Sequence, residues 1–185
     1  VSVGKGANSV AGNTVLGETA LDAVTSGGNN TAIGKDSLTA NTTGNRNTAV
    51  GRQALNTNTT GIQNTAVGEA ALFDNLTGQY NTAIGRAALA NNTTASNNTA
   101  VGLSALLSNT TGTQNVAVGA NALDANTTAD NNTAVGFQAL TSVTTADGNA
   151  AFGPKTLENN TTGESNTALG GFALRANTTA SNNTA

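Results

Sequence analysis

The sequence contains no cysteine, histidine, methionine or tryptophan, and only 9% of its residues are charged. Without Cys and His there is no disulfide, no zinc site built on these ligands, and no Ser–His or Cys–His catalytic pair. Seven Lys and Arg residues in a chain of formal charge −3 do not suit nucleic-acid binding. No apolar run reaches the roughly 18 residues of a membrane span. Aromatic residues make up only 3% of the chain, so any core must be built from smaller side chains.

What the sequence does have is a strict repeat of 17 residues, led by an asparagine. The leading residues are Asn13, Asn30, Asn47, Asn64, Asn81, Asn98, Asn115, Asn132, Asn149, Asn166 and Asn183. Residues 1–12 are predicted to form a partial or irregular leading coil, residues 13–182 ten coils, and residues 183–185 the start of an eleventh. We therefore expect this chain to be a segment of a longer repetitive protein.

Some repeat positions are constant and others vary. Counting from the Asn as position 1, position 5 is Gly and position 9 is Leu in all ten repeats, position 4 is always apolar, and position 3 is Ala in nine. Sixteen of the 17 charged residues lie at positions 6, 7, 10, 11, 16 and 17, and the remaining one, Lys5, precedes the repeats. Because solvated positions tolerate charge and packed positions do not, these six positions are predicted to face outward.

This pattern predicts an all-β fold, a parallel β-solenoid with 17-residue coils. Helical repeats are the main alternative, but Asn, Thr and Gly dominate the constant positions and are poor helix formers. Low-complexity disorder is the other alternative, and it does not explain a strict period. At a strand spacing of about 4.8 Å, ten coils would form a rod about 48 Å long.

Alternation along a strand predicts which side chains point into the coil. If the aliphatic residue at position 4 points inward, the residues at positions 1, 3 and 5 point outward. The predicted coil core comprises Val50, Leu55, Val67, Leu72, Ile84, Leu89, Val101 and Leu106. Constant small residues on an outer side suggest close approach by a second chain. Inter-chain packing in a homo-oligomer or filament is therefore predicted for Asn47, Ala49, Gly51, Asn81, Ala83, Gly85, Asn98, Ala100 and Gly102. In the alternative interpretation, Gly marks only a tight bend and Ala is a filler.

The segments 47–51 (NTAVG) and 81–85 (NTAIG) resemble the repeats of YadA-like trimeric autotransporter adhesin heads, and 8–12 (NSVAG) is a looser match. Similar repeats occur in bacteriophage tail fibres. The resemblance covers nearly the whole chain. It implies a left-handed parallel β-roll, three chains packed side by side, and a rod exposed on a cell or virion surface. Neither stalk heptads nor a fibre chaperone domain is visible in this sequence.

No catalytic, cofactor or metal site is predicted. The carboxylates have no repeated partner, and Gly27–Asn30 is a glycine turn rather than a calcium-binding nonapeptide. The aromatic residues Phe73, Tyr80, Phe137 and Phe172 lie at variable positions and could serve lateral or receptor contacts. Regular Asn-x-Thr sequons are interpreted as a stacked amide ladder, and as glycan sites only if that side is exposed. They begin at Asn41, Asn58, Asn75, Asn92, Asn109, Asn126, Asn160 and Asn177.

The predicted function is that of a non-catalytic structural or adhesive segment of an extracellular fibre, on a cell or virion surface. Its partners would be further copies of the chain, as a trimer or filament, and a host-surface or matrix ligand. The alternative function is ice binding through regular rows of Asn and Thr at positions 12 and 14, for example Asn109 and Thr111. That alternative requires both rows to point outward on a flat side.

Overall fold

Eleven short strands form one sheet in the computed structural model of the chain, which describes residues 3–185. The strands are β1 (Val3–Gly4), β2 (Thr14–Leu16), β3 (Thr31–Ile33), β4 (Thr48–Val50), β5 (Thr65–Val67), β6 (Thr82–Ile84), β7 (Thr99–Val101), β8 (Val116–Val118), β9 (Thr133–Val135), β10 (Ala150–Phe152) and β11 (Thr167–Leu169). No α-helix occurs in this part of the chain, and one 3₁₀ turn spans Ala7–Ser9.

The strands from β2 to β11 pair in parallel and in chain order. Their register equals the sequence period, so that Thr48 pairs with Thr65 and Val50 with Val67. Each repeat therefore contributes one strand and one coil. The chain is an all-β parallel solenoid of about nine turns with 17-residue coils, and the prediction of this fold is confirmed. The leading strand β1 differs, since it pairs antiparallel with β2.

Backbone hydrogen bonds between coils continue beyond the strands. At the turns, Leu55 N–H donates to Ala71 O at 3.0 Å and Thr42 N–H donates to Thr59 O at 3.0 Å. Three sides of each coil are thus joined to the next coil, which satisfies backbone groups that would otherwise be buried without partners. This ladder lets a chain with few large side chains form a continuous rod.

The core is a column of leucines flanked by alanines and asparagines. The Leu at position 9 is fully buried in nine coils: Leu21, Leu38, Leu55, Leu72, Leu89, Leu106, Leu123, Leu140 and Leu157. All of these leucines have a φ of 50–53°, in the left-handed region. That conformation costs about 1–2 kcal/mol per residue, whereas burying a Leu side chain contributes about 1.5–3 kcal/mol. Burial of the Leu side chain therefore offsets the backbone strain at this corner.

The constant Gly at position 5 is required by backbone geometry. Gly51 has a φ of +139°, and a Cβ atom built there would lie 2.4 Å from the carbonyl oxygen of Gly68. The same close approach between successive coils recurs at Gly85 and Gly102. Both the dihedral angle and the short distance exclude a side chain. A tight bend, the alternative given from the sequence, therefore explains why position 5 is always Gly, and no contact with a second chain is needed.

Candidate interaction surfaces

The orientation predicted for the strands is wrong by one residue. Within a single chain, Asn47 and Ala49 are fully buried, as are Ala83, Asn98 and Ala100, and Asn81 is nearly so. Conversely, Val50, Val67 and Val101 are only half-buried and Ile84 is 41% exposed. Of the predicted core residues, the four leucines Leu55, Leu72, Leu89 and Leu106 are buried as expected. A shift of one residue in a strand exchanges its two faces, which is the exchange seen here.

The interior of the coil is narrow, and this explains the error. At the strand it takes a small side chain at position 3 beside the Leu column, which is Ala in nine coils and Val15 in the first. The sequence did carry a signal for this arrangement. Position 3 is almost invariant, whereas position 4 varies in size between Val, Ile, Leu and Phe. A closely packed interior tolerates less variation in volume than an outer face does.

The outer face of the sheet consists of two in-register rows, which we call the strand face. Position 2 contributes mainly Thr and position 4 contributes Val, Ile, Leu or Phe in every one of β2–β11. The exposed residues include Leu16, Ile84 and Phe152, each 41% exposed, and most of the remaining residues in the two rows are half-buried. None of the 17 charged residues lies on these two rows. The strand face is therefore an uncharged, partly apolar stripe along the whole solenoid.

Inside the coil, the Asn at position 1 joins neighbouring coils. The backbone N–H of Asn47 donates to Oδ1 of Asn30 at 2.9 Å, and Nδ2 of Asn47 donates to Gly61 O at 2.8 Å. The same pair of bonds recurs at Asn98, where the distances are 3.0 and 2.8 Å. These constant asparagines are therefore structural groups of the single chain, and their constancy does not require an inter-chain contact.

The Asn at position 12 forms a second internal ladder, which confirms the amide-ladder interpretation. Asn75 Nδ2 donates to Asn58 Oδ1 at 2.8 Å and to Gly78 O at 3.1 Å. Seven of the eight sequon asparagines are fully buried: Asn41, Asn58, Asn75, Asn92, Asn109, Asn126 and Asn160. A glycan on any of these seven would have to displace the ladder.

The alternative of ice binding through the Asn row also fails. That row points inward, whereas Thr111 and its equivalents at position 14 are exposed.

One coil interrupts this second ladder. Val143 occupies position 12 there and is fully buried. As a result, Oδ1 of Asn126 is the one buried side-chain polar atom without a hydrogen-bond partner among residues 3–185. In the intact part of the ladder the equivalent oxygen, for example Oδ1 of Asn109, accepts from the next coil at 2.8 Å. The orphaned acceptor follows directly from the Val substitution in the repeat.

Charged side chains pair between successive coils on the outside. Lys35 Nζ lies 3.1 Å from Glu18 Oε2, Arg52 bonds Glu69, and Arg86 lies 3.9 Å from the same carboxylate. The hydrogen bond from Arg52 holds the pKa of Glu69 below its ordinary value. These pairs are exposed, and solvent screening leaves exposed ion pairs with little effect on stability.

The acidic residues do not gather into a site. Among residues 3–185 there is no cluster of three or more potential metal ligands.

The aromatic residues singled out from the sequence are at least partly exposed. Tyr80, Phe137 and Phe172 are about half exposed, and Phe73 is half-buried. The Arg175 guanidinium lies 5.4 Å from the centroid of the Phe172 ring. In the described residues, no helix is long and apolar enough to cross a bilayer.

Comparisons with protein-family models, with curated proteins and with solved structures gave no match to this chain.

Proposed function

We propose that the chain is a non-catalytic structural or adhesive segment of an extracellular fibre, in which copies of the solenoid pack side by side through the strand face. The observation that carries this proposal is the strand face itself, an uncharged stripe of Thr and aliphatic residues repeated in register over ten strands. A partly exposed apolar row of this length on an uncharged face is typical of surfaces that become covered in an assembly.

The side proposed for packing is the one expected from the sequence, but the residues are different. Thr99 and Val101 replace Asn98 and Ala100 as the groups available to a second chain, because the latter two are buried inside the coil. The resemblance to adhesin heads and tail fibres adds the expectation of three left-handed chains on a cell or virion surface. In such a fibre the exposed corner residues would be presented to a host-surface or matrix ligand.

The absolute mass of the chain in solution, measured by light scattering, tests this proposal. A mass near three chains is the expected result, and another oligomer would support side-by-side packing but not the number three. Introducing charge on the strand face, in the pair Val101→Lys and Val118→Lys, should give monomers with an unchanged β-rich circular dichroism spectrum. The matched control is Thr111→Lys with Thr128→Lys, which places the same charges on exposed positions of the same two coils. If the control variant loses assembly as well as the strand-face variant, the strand face is not the packing surface.

A monomeric wild-type chain at every concentration would contradict the fibre proposal. In that case the strand face would remain free, with parallel rows of Thr and Val on a regular sheet. Ice binding through this face would then be the next hypothesis, and a thermal-hysteresis assay would test it.

A further inference from the structure

The repeat is not uniform along its length, and the difference lies at position 6, beside the strand face. In the first five coils this position carries Glu18, Lys35, Arg52, Glu69 and Arg86. In the last five it carries Leu103, Ala120, Phe137, Pro154 and Gly171. One edge of the strand face is thus charged over the first half of the solenoid and apolar over the second half.

The apolar residues at position 6 extend the strand face sideways. Leu103 is 46% exposed and Phe137 is 49% exposed. Position 6 follows position 4 by two residues, so the two Cα columns are at most about 7 Å apart. Phe152 at position 4 is also 41% exposed, although it has a coil on each side. The aliphatic stripe therefore widens in the second half into a surface that we call the broad apolar patch, centred on Leu103, Phe137 and Phe152.

The charged edge in the first half has the opposite character. Its side chains already form ion pairs with one another between coils and remain 44–69% exposed. Removing such groups from water would require replacing all of their hydration by good partners. The first half is therefore suited to stay hydrated at this edge, while the second half is suited to be covered.

We propose that the broad apolar patch anchors the side-by-side association of the chain with a second copy of itself, so that most of the association energy comes from coils 6–10. This inference rests on the proposed function and refines it. The three central side chains together expose on the order of 300 Å², whereas a stable interface covers about 800 Å² on each partner. The patch therefore needs the adjoining strand face to complete an interface. A second solenoid offers an uncharged stripe with the same length and the same coil spacing, which a small ligand does not.

The test is the concentration dependence of assembly in the full chain, measured by sedimentation equilibrium. The double variant Leu103→Ser with Phe137→Ser removes the two position-6 anchors. We expect it to raise the dissociation constant at least tenfold, since a few side chains buried at the centre of an interface carry most of its binding energy. The matched control, Arg52→Ser with Arg86→Ser, changes the same repeat position in the first half and should alter the constant less than threefold. Both variants replace exposed side chains, and circular dichroism of each will establish that the solenoid is retained.

The outcomes separate this inference from the proposed function. If the wild type assembles and the two double variants weaken it equally, or the control weakens it more, the anchor assignment is wrong while the fibre proposal stands. If Leu103→Ser with Phe137→Ser has no effect on an assembling chain, the assignment is likewise wrong. A wild type that stays monomeric overturns both.

Discussion

Completing the interrupted asparagine ladder should stabilise the protein. The substitution is Val143→Asn, which places an amide where eight other coils have one. Its Nδ2 could donate to the orphaned Oδ1 of Asn126 and to Ala146 O, as Asn126 itself donates to Asn109 Oδ1 at 2.8 Å and to Ala129 O at 3.2 Å. Its Oδ1 could accept from Asn160, whose Nδ2 already donates to Gly163 O at 2.7 Å.

The expected magnitude follows from opposing contributions. Satisfying a buried acceptor recovers about 1–3 kcal/mol, and two further hydrogen bonds contribute about 1 kcal/mol each. Losing the buried Val side chain costs about 1.5–3 kcal/mol. The net gain should be about 1–2 kcal/mol in the free energy of unfolding, which corresponds to a melting temperature higher by about 2–8 °C for a chain of this size.

Calorimetry and denaturant unfolding would measure this change, with two comparison variants. Val143→Ala shortens the side chain without restoring the ladder and should destabilise the protein. Asn92→Val creates a second interruption, because Asn92 Nδ2 donates to Asn75 Oδ1 at 2.7 Å, and it should cost about 1–2 kcal/mol. The reasoning is refuted if Val143→Asn is no more stable than Val143→Ala, or if Asn92→Val is neutral.

Three further predictions concern other parts of the coil. Gly102→Ala should lower the free energy of unfolding by about 3–5 kcal/mol in chemical denaturation, because it adds left-handed strain and places a Cβ atom 2.6 Å from a backbone carbonyl. As a control, Gly148→Ala, whose Cβ atom would meet nothing closer than 3.6 Å, should cost only about 1 kcal/mol. Equal costs for the two variants would contradict the argument from close approach between coils. Leu106→Ala should lower the unfolding free energy by about 2–5 kcal/mol, whereas Val101→Thr on the outer face should change that of the monomer by less than about 0.5 kcal/mol. A cost of Val101→Thr as large as that of Leu106→Ala would restore the orientation first expected, in which both side chains point inward. Hydrogen bonds from Lys155 and Arg175 hold the pKa of Glu158 below its ordinary value of 4.5. The Glu158 carboxylate therefore stabilises the fold at pH values above 4.5, and this contribution is lost as the pH falls through the lowered pKa. Melting curves from pH 6 to pH 2 should therefore fall less steeply for Glu158→Gln than for the wild type, and identical slopes would count against the ion pair.

The sequence alone determined the architecture, because a strict period leaves few ways to stack identical units. The 17-residue spacing predicted the register of Thr48 against Thr65, and the sorting of charge predicted which corners face water. The Leu column and the stacked amides of the position-12 Asn residues could also be predicted from the sequence, since an invariant Leu and a regularly spaced amide each have one favourable environment in a solenoid.

Only the tertiary structure decided which side of the strand faces inward. Alternation fixes that Ala100 and Val101 point in opposite directions, but it does not say which of them is inside. That choice depends on the width of the coil interior, which is set by the Leu column and the two amide ladders together. The same knowledge assigns Gly102 to contact between coils and shows that Leu103, Phe137 and Phe152 are exposed, because burial and contact depend on residues that lie whole coils apart in the sequence.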